Sequence, residues 1–163
     1  MAKQSAGLLL YRRKGGQIEV LLGHPGGPFW AKKDKGAWSL PKGEFDEGED
    51  SLTAAKREFG EEIGQQAPDG EYQEIGTVKL KSGKTIYGWA LEADMDVSTV
   101  MSNTFEIEWP PKSGKMQEFP EIDRAQWLTL AAAKEKMHTG QSEFIDRLAT
   151  QLGANLPEQA SLF

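Results

Sequence analysis

The chain contains no cysteine and only two histidines, His24 and His138, among its 163 residues. Disulfides, thiol nucleophiles and cysteine-based zinc sites are therefore excluded, and two imidazoles are too few for a histidine-rich metal centre. Any metal chemistry must use oxygen ligands. No apolar run approaches the roughly 18 residues of a membrane-spanning helix. The start, Met1-Ala2-Lys3-Gln4-Ser5, leads into a strand-like run rather than a signal peptide. An excess of positive charge is missing too, since 25 acidic against 19 basic residues leave a net charge of −6. Proteins that hold long nucleic acid by neutralising phosphates need a basic stripe. These absences predict a cytoplasmic protein, a monomer or homodimer, with neither a membrane nor long nucleic acid as partner.

What is present describes an ordinary globular chain: 38% hydrophobic and 27% charged residues with five Trp. At this length roughly 70% of the unfolded surface can be buried, enough for one core. We expect a single domain over residues 1–153, with Ala154 to Phe163 as a C-terminal tail. Ala6–Arg13 and Ile18–Gly23 are apolar runs joined by a glycine turn and read as a hairpin. His24 to Gly36 (HPGGPFWAKKDKG) reads as a long loop, and Ala37–Leu40 as a short strand stopped by Pro41. Glu74–Lys81 and Thr85–Ala93 flank Ser82-Gly83 as a second hairpin, and Thr104–Trp109 and Ala125–Leu130 supply two further strands. Leu130–Lys136 and Ser142–Leu152 carry helical spacing, with Gly153 as a stop. Together these elements predict a mixed sheet with helices against it, α+β or α/β in type.

The densest chemistry lies between Gly43 and Gly64, GEFDEGEDSLTAAKREFGEEIG. Asp50 or Ser51 can cap a helix in which Leu52, Ala55, Phe59 and Ile63 form one face, and Gly64 suits its left-handed end. Gly60, inside that helix, costs about 1 kcal/mol relative to Ala. Either something approaches closely there or the cost is tolerated. Glu58, Glu61 and Glu62 lie three or four apart and should repel one another on a bare helix. A hard cation such as Mg2+, which takes carboxylate and water oxygens, reverses that sign.

Spacing sharpens this reading. Gly43, Glu49, Arg57-Glu58-Phe59, Glu61-Glu62 and Gly64 stand at fixed intervals that resemble the Nudix box at every specified position except the last, where Gln65 replaces an aliphatic residue. The resemblance implies an α/β/α Nudix sandwich and a Mg2+- or Mn2+-dependent hydrolase that cleaves a phosphoanhydride bond by attack of water on phosphorus. It further implies Glu58, Glu61 and Glu62 as metal ligands beside the Gly43 carbonyl, with Glu58 alternatively acting as general base. Arg57 would orient the carboxylates through a charge-assisted fork. A Nudix-fold module that senses nucleotide or binds protein without hydrolysis is the alternative.

For the substrate, Trp38-Ser39-Leu40-Pro41-Lys42-Gly43-Glu44 is similar to the segment that enters the box in hydrolases of dinucleoside polyphosphates and of diphosphoinositol polyphosphates. This makes Lys42 a phosphate-contact candidate. Glu121 stands six residues before Trp127, as does a glutamate that serves the metal or the base in the dinucleoside tetraphosphate enzymes, whereas Ala125 replaces their stacking aromatic. Glu118 is a further candidate base. Lys32, Lys33 and Lys35 form either a solvated loop or a phosphate contact, with Lys33 the candidate. Phe29 and Trp30 either pack or stack on a base, with Trp30 the candidate. His24 and His138 read as turn or surface residues. The expected substrate is a dinucleoside polyphosphate such as diadenosine tetraphosphate, or a nucleoside triphosphate.

Overall fold

A computed structural model describes residues 3–154. The expected C-terminal tail beyond Ala154 lies outside them. In chain order the elements are β1 (Gln4–Lys14), β2 (Gln17–Pro25), β3 (Lys42–Glu44), α1 (Ser51–Ile63), β4 (Gln73–Lys79), β5 (Thr85–Glu92), β6 (Thr104–Glu108), β7 (Met116–Pro120), β8 (Ile122–Thr129), α2 (Leu130–Lys136) and α3 (Glu143–Leu152).

The apolar run Ala6–Tyr11 makes β1 the central strand, because it buries side chains on both faces. The six-stranded mixed sheet runs β4-β5-β1-β2-β8, with β3 paired antiparallel to the start of β1. β1 and β5 are parallel, and the other pairs are antiparallel. Ala6, Leu8 and Leu10 point to one layer with Ala54, Ala55, Phe59 and Ile63 of α1. Leu9 and Tyr11 point to the other, where α2 and α3 contribute Ala133, Phe144, Ile145 and Leu148. The result is the expected helix–sheet–helix sandwich with three helices.

Several elements differ from the sequence reading. Ala37–Leu40 forms only isolated bridges, Trp38 to Met137 and Ser39 to Gly23, and the strand begins after Pro41, at Lys42. Proline lacks a ladder donor, so the pairing with β1 starts once it is passed. β6 does not join the main sheet but pairs with β7, which the sequence pattern did not announce because its residues are mostly exposed and show little apolar alternation. β8 starts at Ile122 rather than Ala125. Nothing crowds Gly60: an added Cβ would meet no atom nearer than the Gln65 carbonyl oxygen at 3.9 Å. The glycine in α1 is therefore tolerated rather than required by a neighbour.

Candidate active site

Asp50 begins the site by capping α1, its carboxylate accepting from the Thr53 N–H at 3.0 Å. At the far end Gly64 takes φ 83°, and the Met101 and Asn103 N–H groups donate to the Ile63 and Glu61 carbonyls, both at 2.9 Å. Packing of Phe59 and Ile63 onto the sheet sets the roll of the helix. Their neighbours Glu58 and Glu62 are carried to the boundary between helix and sheet, whereas Glu61 stays outside.

The three glutamates therefore differ in kind. Glu62 is only 8% exposed, and its carboxylate accepts from the Lys42 N–H at 2.9 Å. Burial pushes its carboxyl up to about 7; Lys42 opposes that shift, and the charges of Glu121 and Glu58 add to it. Burial likewise holds the Glu58 carboxyl above its ordinary range, against the pull of Arg57. Burial also lowers the Lys42 ammonium, although Glu62 favours its charge. In this neighbourhood desolvation outweighs attraction between neighbours.

Glu58 lies against Gly43, where an added Cβ would stand 1.9 Å from a Glu58 carboxylate oxygen. The glycine at the head of the box is thus explained by contact rather than by conformation. Arg57 makes the fork foreseen for it: Nε and Nη2 donate to Glu49 at 3.2 and 3.0 Å, and Nη1 to Glu58 at 2.7 Å. Its Nη1 also stands 3.6 Å from Glu61. The Glu49 bonds, first, and those to Glu58 raise the guanidinium further above its ordinary value. Gln65 at the closing position turns its amide to the Asp96 carbonyl, 2.9 Å, and the Thr99 hydroxyl, 3.3 Å, which accounts for a polar residue there.

Glu121 is brought to the box by backbone: its N–H donates to the Asn103 carbonyl at 2.9 Å, and Asn103 in turn bonds the Glu61 carbonyl. Lys42 is thus joined to Glu62, Gly43 to Glu58, and Glu121 through Asn103 to the Glu61 backbone, while the Glu61 carboxylate stays on the outer side beside Arg57. A cleft of about 780 Å³ opens on the Arg57 side, walled by Lys3, Glu44, Glu49 and Arg57. Among the described residues no group of three or more His, Asp or Glu side chains forms a ready-made metal cage. Trp30 and Lys33 are held instead in the 24–36 loop, the Lys33 ammonium 5.1 Å from the Trp30 ring centroid. Ala125 is 5% exposed and packs in the layer with α1, so no stacking surface exists at that position.

His24 corrects the sequence reading. It is fully buried, not a surface residue, and stacks edge-on to Trp38 at 5.1 Å. Its Nδ1 faces the Asp123 carboxylate at 3.0 Å and its Nε2 the Lys33 carbonyl at 2.6 Å. The signal available was position, since His24 directly continues the buried run Val20–Gly23 of β2.

A mixed sheet between helix layers, with an arginine-forked acidic helix against a glycine strand, places the protein in the α/β/α sandwich class. The NUDIX domain model matches residues 1–148, and the chain belongs to the Nudix family. It is a hydrolase acting on phosphorus-containing anhydrides. Solved structures share the fold. A Caenorhabditis elegans Ap4A hydrolase binary complex is 24% identical with a TM-score of 0.60, covering 93% of this chain and 98% of that one. The NUDIX domain of Shewanella oneidensis NrtR complexed with ADP ribose is 16% identical with a TM-score of 0.62, covering 93% and 89%. The Mycobacterium smegmatis Nudix hydrolase RenU is 23% identical with a TM-score of 0.61, covering 92% and 85%. No curated protein sequence matches the chain significantly. Among the described residues no helix is long and apolar enough to cross a membrane.

Proposed function

We propose that this hydrolase is metal-dependent and cleaves a nucleoside polyphosphate, foremost a dinucleoside polyphosphate such as diadenosine tetraphosphate, or a nucleoside triphosphate, in the cytoplasm. The observation that carries the reading is the convergence of Glu58, Glu62 and Glu121 on Lys42-Gly43, with burial raising the proton affinity of Glu58 and Glu62. A buried carboxylate, Glu62, beside a half-buried one, Glu58, fits a cation, and the donor set is all oxygen, which suits Mg2+ or Mn2+. Glu61, Glu62 and the Gly43 carbonyl would hold it, with Glu58 as a further ligand where Glu121 is the base. When bound, the ion supplies charge neutralisation at phosphate oxygens and a more acidic water.

The chain's own residues do the rest. The Lys42 N–H fixes Glu62, and Arg57 fixes Glu58, so neither carboxylate has to be ordered during turnover. The Lys42 ammonium meets the substrate phosphates. A water oxygen bonds to phosphorus as the bridging P–O bond breaks, and the water proton passes to Glu58 or Glu121. The similarity of Trp38–Glu44 to dinucleoside polyphosphate hydrolases supports the substrate class, and the name of the C. elegans relative accords with it.

A panel of dinucleoside polyphosphates, nucleoside triphosphates and nucleotide sugars, assayed with Mg2+ in oxygen-18 water, tests this. Release of a labelled phosphate product from a nucleoside polyphosphate is expected, and no product from any member sinks the reading. The pH profiles of Glu58→Gln and Glu121→Gln separate the two bases, because the base variant loses the acidic limb.

A further inference from the structure

The loop from His24 to Gly36 is tied to the β6–β7 hairpin and the residue that follows it. The Gly26 N–H donates to the Glu121 carbonyl at 2.9 Å, and a Cβ on Gly26 would fall 1.9 Å from the Pro120 carbonyl oxygen. Gly27, at φ 97°, lets its backbone lie against the Phe105 ring. Asp34 closes the far side, accepting from the Trp38 indole N–H at 2.8 Å and pairing with Lys136 at 3.2 Å. A loop tied at this many points is not a solvated excursion.

What it displays is unusual for a surface. Phe29 is 57% exposed and Trp30 38% exposed. Phe29 stands edge-to-face on Trp109 of the hairpin arm, with centroids 5.4 Å apart. Lys32, Lys33 and Lys35 are exposed beside them on a chain of net charge −6. Aromatic faces interleaved with cations match a base joined to phosphates rather than an apolar partner. The base of the loop is tied to Glu121, because the Gly26 N–H is bonded to the Glu121 carbonyl.

We propose that Phe29 and Trp30, with Trp109 behind Phe29, form a base-stacking ledge that takes a nucleobase of the substrate while Lys33 meets the adjoining phosphate. The proposal rests on the nucleotide reading above and names the part of the chain that supplies base recognition in place of Ala125. The hairpin is then a specificity element rather than an ornament on the fold.

The test is equilibrium binding by calorimetry to the full-length protein, using α,β-methylene-ADP and its base-free counterpart methylenediphosphonate, neither of which depends on turnover. The double variant Phe29→Ala, Trp30→Ala should bind α,β-methylene-ADP about tenfold or more weakly, in line with the strength of base–aromatic stacking. Its affinity for methylenediphosphonate and its melting temperature should stay at the wild-type level. Trp109→Leu, which removes the support of Phe29, should give a smaller loss of the same kind. Equal losses for both probes, no loss for either, or no binding of α,β-methylene-ADP to the wild type would overturn the ledge. So would a wild-type dimer that the double variant converts to monomer, since the aromatics would then belong to a contact between copies. A protein that binds through the ledge yet cleaves no member of the substrate panel keeps the ledge and loses the proposed substrate class.

Discussion

The acidic box and the aromatic ledge treat their polar and apolar groups in opposite ways. In the box, a carboxylate that water would hold comfortably, Glu62, is buried; on the ledge, rings that a core would hold are exposed. Each departure has a chemical use. Burying Glu62 strengthens every charge interaction near it, which suits a site where phosphate charge is handled. Exposing Phe29 and Trp30 on a pinned loop offers flat surface that is already ordered, so little entropy is lost when a base settles on it.

The widest separation between the two regions should come from Glu62→Gln. We expect Mg2+-dependent turnover to fall about a thousandfold or more, since several kcal/mol of charge stabilisation depend on this carboxylate. Binding of α,β-methylene-ADP should fall far less. Steady-state kinetics beside calorimetry checks both, and a comparable drop in the two would dissolve the division of labour.

Next is Gly43→Ala, which adds a methyl where a Glu58 oxygen already lies 1.9 Å away. Displacement of Glu58 should cost about a hundredfold in kcat with little change in KM, measured on protein whose circular dichroism is unchanged. A KM effect with normal kcat would move Gly43 from the chemistry to recognition.

Folding raises the Glu62 carboxyl from an ordinary 4.5 to about 7, so the folded state binds that proton more tightly than the unfolded chain. The stability so contributed is complete below pH 4.5 and is lost as pH rises through 7, a change on the order of 3 kcal/mol. Metal-free protein should therefore melt several degrees lower at pH 8 than at pH 5, as far as this group is concerned. Glu62→Gln should remove that part of the slope. Saturating Mg2+ should flatten it in the wild type, because an ion bound to the folded state stabilises it. Thermal melts in chelator and in Mg2+ give the readout.

The smallest effect is a control inside the box. Gly60→Ala meets open space and gains helix propensity, so stability should rise by about 0.5–1 kcal/mol, roughly 2 °C, with turnover unchanged. A loss of activity there would show that the helix needs to bend at Gly60.

The acidic helix was legible before the fold because its signals are local: a cap at Asp50, apolar residues every three or four positions, a glycine stop at Gly64. Its family was legible because the spacing of charged residues survives in one dimension. The sequence could not show that Glu62 is inside and Glu61 outside, since one residue's rotation about the helix is decided by how Phe59 seats on the sheet. Nor could it show why position 43 is glycine, a matter of contact with a residue 15 places away. His24 was misread for the same reason: its partners Asp123 and Lys33 lie on different segments, 99 and 9 residues off. β7 escaped because an exposed two-stranded arm needs no apolar alternation.

The bond from His24 Nε2 to the Lys33 carbonyl has one more outcome. It closes residues 24–33 into a ring held by the buried His24, so the exposed residues from Phe29 to Lys32 form its exchangeable tip. That tip can drift, or be swapped by design, whereas Gly26 and Gly27 are held to glycine by the Pro120 carbonyl and the Phe105 ring. Selection for new substrates would then act on a short insert while the reaction is inherited intact.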